Sequence, residues 1–137
     1  MAQVRLYARG MLRIQCLTID CAEPRRLAEF WAEALGWTIT GSDDLGAVIE
    51  CLDAAGDGAG AVPFPDILFL KDPNPKAVKN RLHLDLRPAN QADEVARLEE
   101  LGARRVEIGQ ADEPDATWVV MADPEGHEFC VLRALAK

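Results

Sequence analysis

The chain has 137 residues, about half of them apolar, with 15 basic and 23 acidic side chains and a formal net charge of −8. That length suits one domain with a real core. The acidic balance argues against nucleic acid and against an anionic membrane surface, which both demand a basic face. No apolar run approaches the roughly 20 residues of a membrane span.

Residues 1–10 carry Arg5 and Arg9 with no apolar core after them, so they do not read as a signal peptide. They predict a flexible leader, with Met11 an alternative start, followed by one domain over 11–137. Leu12–Cys21 is rich in apolar and β-branched residues and predicts a strand. A helix follows over Pro24–Leu35. Proline suits the first turn, and Leu27, Phe30, Trp31, Ala34 and Leu35 make one apolar stripe ended by Gly36. Trp31 and Trp37 fall to helix packing on this periodicity. Three strands are expected next, at Trp37–Thr40, Ala47–Leu52 and Ile67–Lys71. Between the last two lie a glycine-rich stretch, Ala54–Ala61, which is either a plain loop or a lid, and a bend at Pro63–Pro65.

Asp72–Lys79, with its charges and two prolines, predicts a linker between unit one (11–71) and unit two (80–137). Leu82–Leu86 alternates, with Leu82, Leu84 and Leu86 on one face and His83, Asp85 and Arg87 on the other. A second helix is expected over Gln91–Leu101, capped by Asn90, with Asp93 and Glu94 in its first turn and Gly102 after it. Its inward residues are Val95, Leu98 and Leu101. Strands at Arg104–Ile108, Thr117–Ala122 and Glu128–Arg133 close the chain, the last two joined by the turn Asp123–Gly126 with His127 exposed beside it.

The element order is βαβββ twice. Cys16 and His83 lie 67 positions apart, and the helix-ending Gly36 and Gly102 lie 66 apart. A repeat of this length is one supersecondary unit that cannot bury its sheet alone. The cysteines Cys16, Cys21, Cys51 and Cys130 show no C-x-x-C spacing, so reduced thiols and a cytoplasmic location are expected.

Four stretches resemble the glyoxalase-like domains of the vicinal oxygen chelate (glyoxalase/bleomycin resistance/dioxygenase) superfamily. They are Leu12–Pro24, Phe30–Trp37 (F-W-A-E-A-L-G-W), Lys79–Arg87 (K-N-R-L-H-L-D-L-R) and Trp118–Leu132 (W-V-V-M-A-D-P-E-G-H-E-F-C-V-L). The resemblance implies an α+β fold, two tandem βαβββ units forming a cupped, mostly antiparallel sheet with the site inside, and a homodimer. The superfamily spans lyases, epimerases, ring-cleaving dioxygenases and drug-binding resistance proteins, so it implies architecture more firmly than activity.

Metal-dependent members take one ligand from the first and one from the last strand of each unit, usually His, Gln or Glu. Carried onto this sequence, those positions are Cys16, about Leu70, His83 and Cys130. Only His83 matches; Leu70 has no ligating atom, and Glu128 stands two residues before Cys130. The usual chelate is therefore not expected, and no cofactor is implied. The alternative is a zinc-type divalent metal on Cys16, His83 and Cys130, two thiolates and an imidazole with an open position. Against it stands the ordinary fate of free cysteine, a small buried hydrophobe.

If the polar face of Leu82–Arg87 lines the cup, His83 is a proton shuttle or hydrogen-bonding group. Asp85 then orients it or faces a cationic ligand, with Arg87 on the same face. Asp20, beside Cys16 and Thr18, adds a second carboxylate, and Trp118 is either pocket wall or core. The expected function is binding of a small organic molecule without the usual chelate. The alternative is a lyase, isomerase or dioxygenase using a metal, or His83 as a metal-free acid/base. A module for protein contacts through the dimer face is a third reading.

Overall fold

The computed structural model describes residues 12, 14–52, 64–109 and 116–136. The expected leader, residues 1–10, the alternative start Met11, the stretch Ala54–Ala61 and Pro63 of the expected bend lie outside the described residues. The chain divides into two compact units, Met1–Asp72 and Pro73–Lys137.

The first unit runs β1 (Cys16–Cys21), α1 (Pro24–Leu35), β2 (Thr38–Ser42), β3 (Gly46–Glu50) and β4 (Asp66–Lys71). Its sheet has the order β1-β4-β3-β2, with β1 parallel to β4 and the other pairs antiparallel. The first strand is shorter than the sequence predicts. Its partner β4 begins at Asp66, opposite Cys16, so Leu12 and Ile14 stand exposed before the ladder starts. Alternation then sorts the faces. Ala47, Ile49, Ile67 and Phe69 are buried with Leu27, Ala28, Phe30 and Trp31 of the helix, while Cys16, Thr18 and Asp20 are exposed on the other face. Gly36 ends α1 in the left-handed region at φ 69°, as its position after the apolar stripe predicts.

The second unit runs β5 (Asp85–Leu86), α2 (Gln91–Leu101), β6 (Arg104–Arg105), β7 (Val119–Ala122) and β8 (Glu128–Val131). Its sheet has the order β5-β8-β7-β6, with β5 parallel to β8 and the rest antiparallel. Asn90 caps α2 by accepting the Asp93 N–H at 3.0 Å. The Gln91 amide then ties the helix start to the sheet, donating to the carbonyls of Thr117 and Val131. Val95, Leu98, Ala103, Met121, Phe129 and Val131 make the buried core.

The strand expected over Leu82–Leu86 contracts to Asp85–Leu86, and Leu82, before it, is 84% exposed. The N–H of Asn80 goes to the Glu128 carboxylate at 3.0 Å instead of to a strand carbonyl, so the ladder starts only at Leu84, whose carbonyl accepts from Cys130. His127, expected exposed, is mostly buried. Its Nδ1 lies 2.9 Å from both carboxylate oxygens of Asp123, which is 1% exposed. Asp123 also accepts the N–H groups of Glu125 and His127, so the hairpin turn closes around a buried carboxylate whose acceptors are satisfied.

The segment expected as a linker carries Lys76, whose ammonium lies 2.8 Å from Glu128. Both side chains are mostly buried, at 19% and 13% exposure. The second compact unit, Pro73–Lys137, takes in most of that segment.

Candidate functional site

Residues two apart on a strand share a face, and register decides which strands contribute to it. On β8, Glu128 and Cys130 share one face of the second sheet. Cys130 is paired with Asp85 on one side and Val120 on the other. Asp85 and Val120, its ladder partners, turn to this face with it, and His83 and Trp118, which precede β5 and β7, line the same side. The opposite face carries Phe129 and Val131 into the core.

A hollow of about 270 Å³ opens on this face. Its polar lining is Lys79, His83, Asp85, Glu128 and Cys130, and its apolar walls include Ile108, Trp118, Val120 and Leu132. Apolar walls with a few converging polar groups are the usual make-up of a small-molecule site. His83 Nε2 stands 3.3 Å from Asp85 Oδ1, with both side chains about half exposed. Cys130 is buried beneath them. Burial pushes its thiol above the ordinary value, and the adjacent Asp85 carboxylate raises it further by charge and by hydrogen bonding. A thiol held protonated in this way is a weak nucleophile.

Of the residues singled out in the sequence, His83, Asp85, Trp118 and Cys130 come together here. Arg87 does not line the hollow. Its guanidinium donates to the carbonyl of Arg133 at 2.5 Å. Cys16 and Asp20 belong to the first unit, on the exposed face of β1, and Cys16 Sγ lies 3.7 Å from the Thr18 hydroxyl. The sequence places Glu128 on the strand face of Cys130 but only as a displaced ligand, not among the binding residues. Burial alone would raise its carboxyl, yet the bond from Lys76 and the backbone N–H bonds outweigh it and hold the group below its ordinary value. Nothing in the pattern of the charged, proline-containing 72–79 segment marks Lys76 as the partner.

The four positions that the superfamily's chelate implies do not suit a hard ion. Leu70 is an aliphatic side chain on β4, and Cys16 and Cys130 offer sulfur where oxygen or imidazole is needed. Among the described residues, the group whose donor atoms converge is His83, Asp85 and Cys130, all within 4.8 Å of one another.

A family model described as glyoxalase-like domain matches residues 16–132. No curated protein matches the chain. Solved structures do. A hypothetical protein from S. aureus superposes with a TM-score of 0.63 at 17% identity, covering 94% of this chain and 99% of that one. A glyoxalase/bleomycin resistance protein/dioxygenase family enzyme from Burkholderia phytofirmans gives 0.64 at 13% identity over 89% and 98%. A mutant of the fosfomycin resistance protein FosX from Listeria monocytogenes, complexed with Mn(II) and 1S,2S-dihydroxypropylphosphonic acid, gives 0.63 at 9% identity over 90% of each chain. At these identities the likeness establishes the shared fold.

Proposed function

The chain belongs to the glyoxalase-like domain family of the vicinal oxygen chelate superfamily, and from that premise we propose that it binds a small organic molecule in the hollow of its second unit, without the superfamily's usual chelate. The observation that carries this reading is the segregation of the second sheet. One face is packed core, and the other holds His83, Asp85 and Cys130 over a hollow walled by Trp118, Val120 and Ile108.

The charges suggest the ligand class. Glu128 is already matched by Lys76, which leaves Asp85 as the carboxylate facing the hollow beside His83, with the cationic Lys79 elsewhere in its lining. A ligand with an apolar body and a polar or cationic end suits that arrangement, since the body packs on Trp118 and the end meets Asp85. A homodimer, implied by the resemblance, and a cytoplasmic location accompany this reading. The latter suits cysteines present as thiols.

The approach of His83 to Asp85 favours a second reading, in which the pair performs metal-free acid/base work. A carboxylate beside an imidazole fixes its tautomer and orientation, which readies the ring to hand a proton to or from a bound molecule. Thermal stabilisation by a panel of aromatic and aliphatic amines separates the two. Ligands that bind only the folded state raise its stability, by about 2.7 kcal/mol at a hundredfold excess over Kd. Stabilisation without turnover supports the binder. Turnover of a panel compound that His83→Ala abolishes supports the acid/base enzyme. A panel that neither stabilises the protein nor is turned over sinks both.

A further inference from the structure

We infer that His83, Asp85 and Cys130 form a three-donor site for a divalent ion of the zinc class, built within the second unit. The inference rests on reading the hollow as a ligand site and adds an ion to its floor. Imidazole, carboxylate and thiol present their donor atoms within 4.8 Å of one another. Zinc-type bonds of about 2.0–2.3 Å place tetrahedral ligands roughly 3.3–3.8 Å apart, so a small inward turn of the half-exposed His83 and Asp85 side chains closes the set.

The backbone holds the three in place. His83 and Asp85 alternate along one segment, and Cys130 is the ladder partner of Asp85, with its own N–H bonded to the Leu84 carbonyl at 2.9 Å. The charges also balance. Binding sends the thiol proton to solvent, and one thiolate plus one carboxylate neutralise a 2+ ion, leaving imidazole as the neutral third ligand. A neutral centre suits a site beside Val120 and Trp118. The thiolate selects zinc or cobalt over magnesium and manganese, which prefer oxygen. Three protein donors leave a fourth position open toward the hollow, the pattern of zinc sites that take up an exogenous molecule. This set differs from the one that the resemblance offered: it needs no donor from the first unit and takes Asp85 as a ligand.

The test uses the full chain, stripped of metal with a chelator under reducing conditions and titrated with cobalt(II) alone. The expected result is one cobalt per chain, with thiolate-to-cobalt charge-transfer absorption that zinc abolishes on displacement. Cys130→Ala loses that absorption, and Cys130→Ser does the same where alanine fails to fold. Asp85→Asn weakens cobalt binding by about tenfold or more, given that even outer-shell partners are worth 10–100-fold. Absence of cobalt binding, charge transfer that survives in Cys130→Ser, or its loss in Cys16→Ala overturns the inference. Quenching of Trp118 by small molecules is measured on the stripped protein in parallel. Quenching without cobalt binding sinks the metal site alone, and cobalt binding without quenching sinks the hollow alone.

Discussion

Cys130 and Asp85 face each other across the parallel β5–β8 ladder, 45 residues apart in sequence and adjacent in space. Two groups that both become anionic on losing a proton resist ionising together. The Asp85 carboxylate therefore helps to keep the Cys130 thiol protonated on the floor of the hollow.

The first prediction concerns that pair. Burial is the larger cause of the raised Cys130 thiol and the Asp85 charge the next, so Asp85→Asn lowers the thiol only part of the way. Alkylation of Cys130 by iodoacetamide, followed against pH by peptide mass spectrometry, is expected to be faster in Asp85→Asn at neutral pH. Its midpoint stays above the ordinary 9.0. Identical profiles in the two proteins would show that Asp85 does not act on the thiol.

Glu128 gives the second. Its folded-state carboxyl lies below the ordinary 4.5, so its contribution to stability is fully present above 4.5 and is lost as pH falls through the lower, folded value. Glu128→Gln is expected to cost about 2 kcal/mol at pH 7, the scale of a hydrogen bond to a charged group. The gap from the parent protein closes as pH drops below 4.5, because protonation does to the parent what the substitution has already done. Urea melts at pH 7 and pH 3.5 read this directly. A gap that stays constant between them rules out the ionic contact as its source.

The third tests backbone approach in the first unit. A Cβ on Gly46 would stand 2.8 Å from the carbonyl oxygen of Phe69, a backbone atom that cannot swing aside. Gly46→Ala is expected to destabilise by about 1–3 kcal/mol through overpacking. At Gly36 nothing lies within 4 Å, and the cost of alanine comes from its φ of 69° alone, about 1–2 kcal/mol. Thermal melts of both variants check this, and a Gly46→Ala protein as stable as the parent would refute the close approach.

Trp118 supplies the fourth. It lines the hollow, whereas Trp31 is 2% exposed in the core of the first unit. Trp118→Phe is expected to remove most of the ligand-induced change in tryptophan emission while the protein still binds. Trp118→Ala is expected to weaken binding by about tenfold, the loss of one aromatic wall. Emission changes that persist undiminished in Trp118→Phe would place the ligand elsewhere.

Much of this architecture was legible in the chain. Both helices, their glycine stops and the Asn90 cap follow from contacts three and four residues apart, which any window of sequence contains. The βαβββ repeat follows from counting those elements, and the motif stretches identified the family. Alternation suggested that His83 and Asp85 share a face; the two do lie 3.3 Å apart, although the strand itself begins only at Asp85. Tertiary structure decided the rest. That Asp85 sits beside Cys130, that Lys76 reaches Glu128, and that the strand before Asp85 gives way to a side-chain clasp all depend on which segments become neighbours and in what register. Pairing across tens of residues leaves no mark on local periodicity, and the carboxylate of Glu128 competes with a strand carbonyl for the Asn80 N–H only once β8 has been laid beside it.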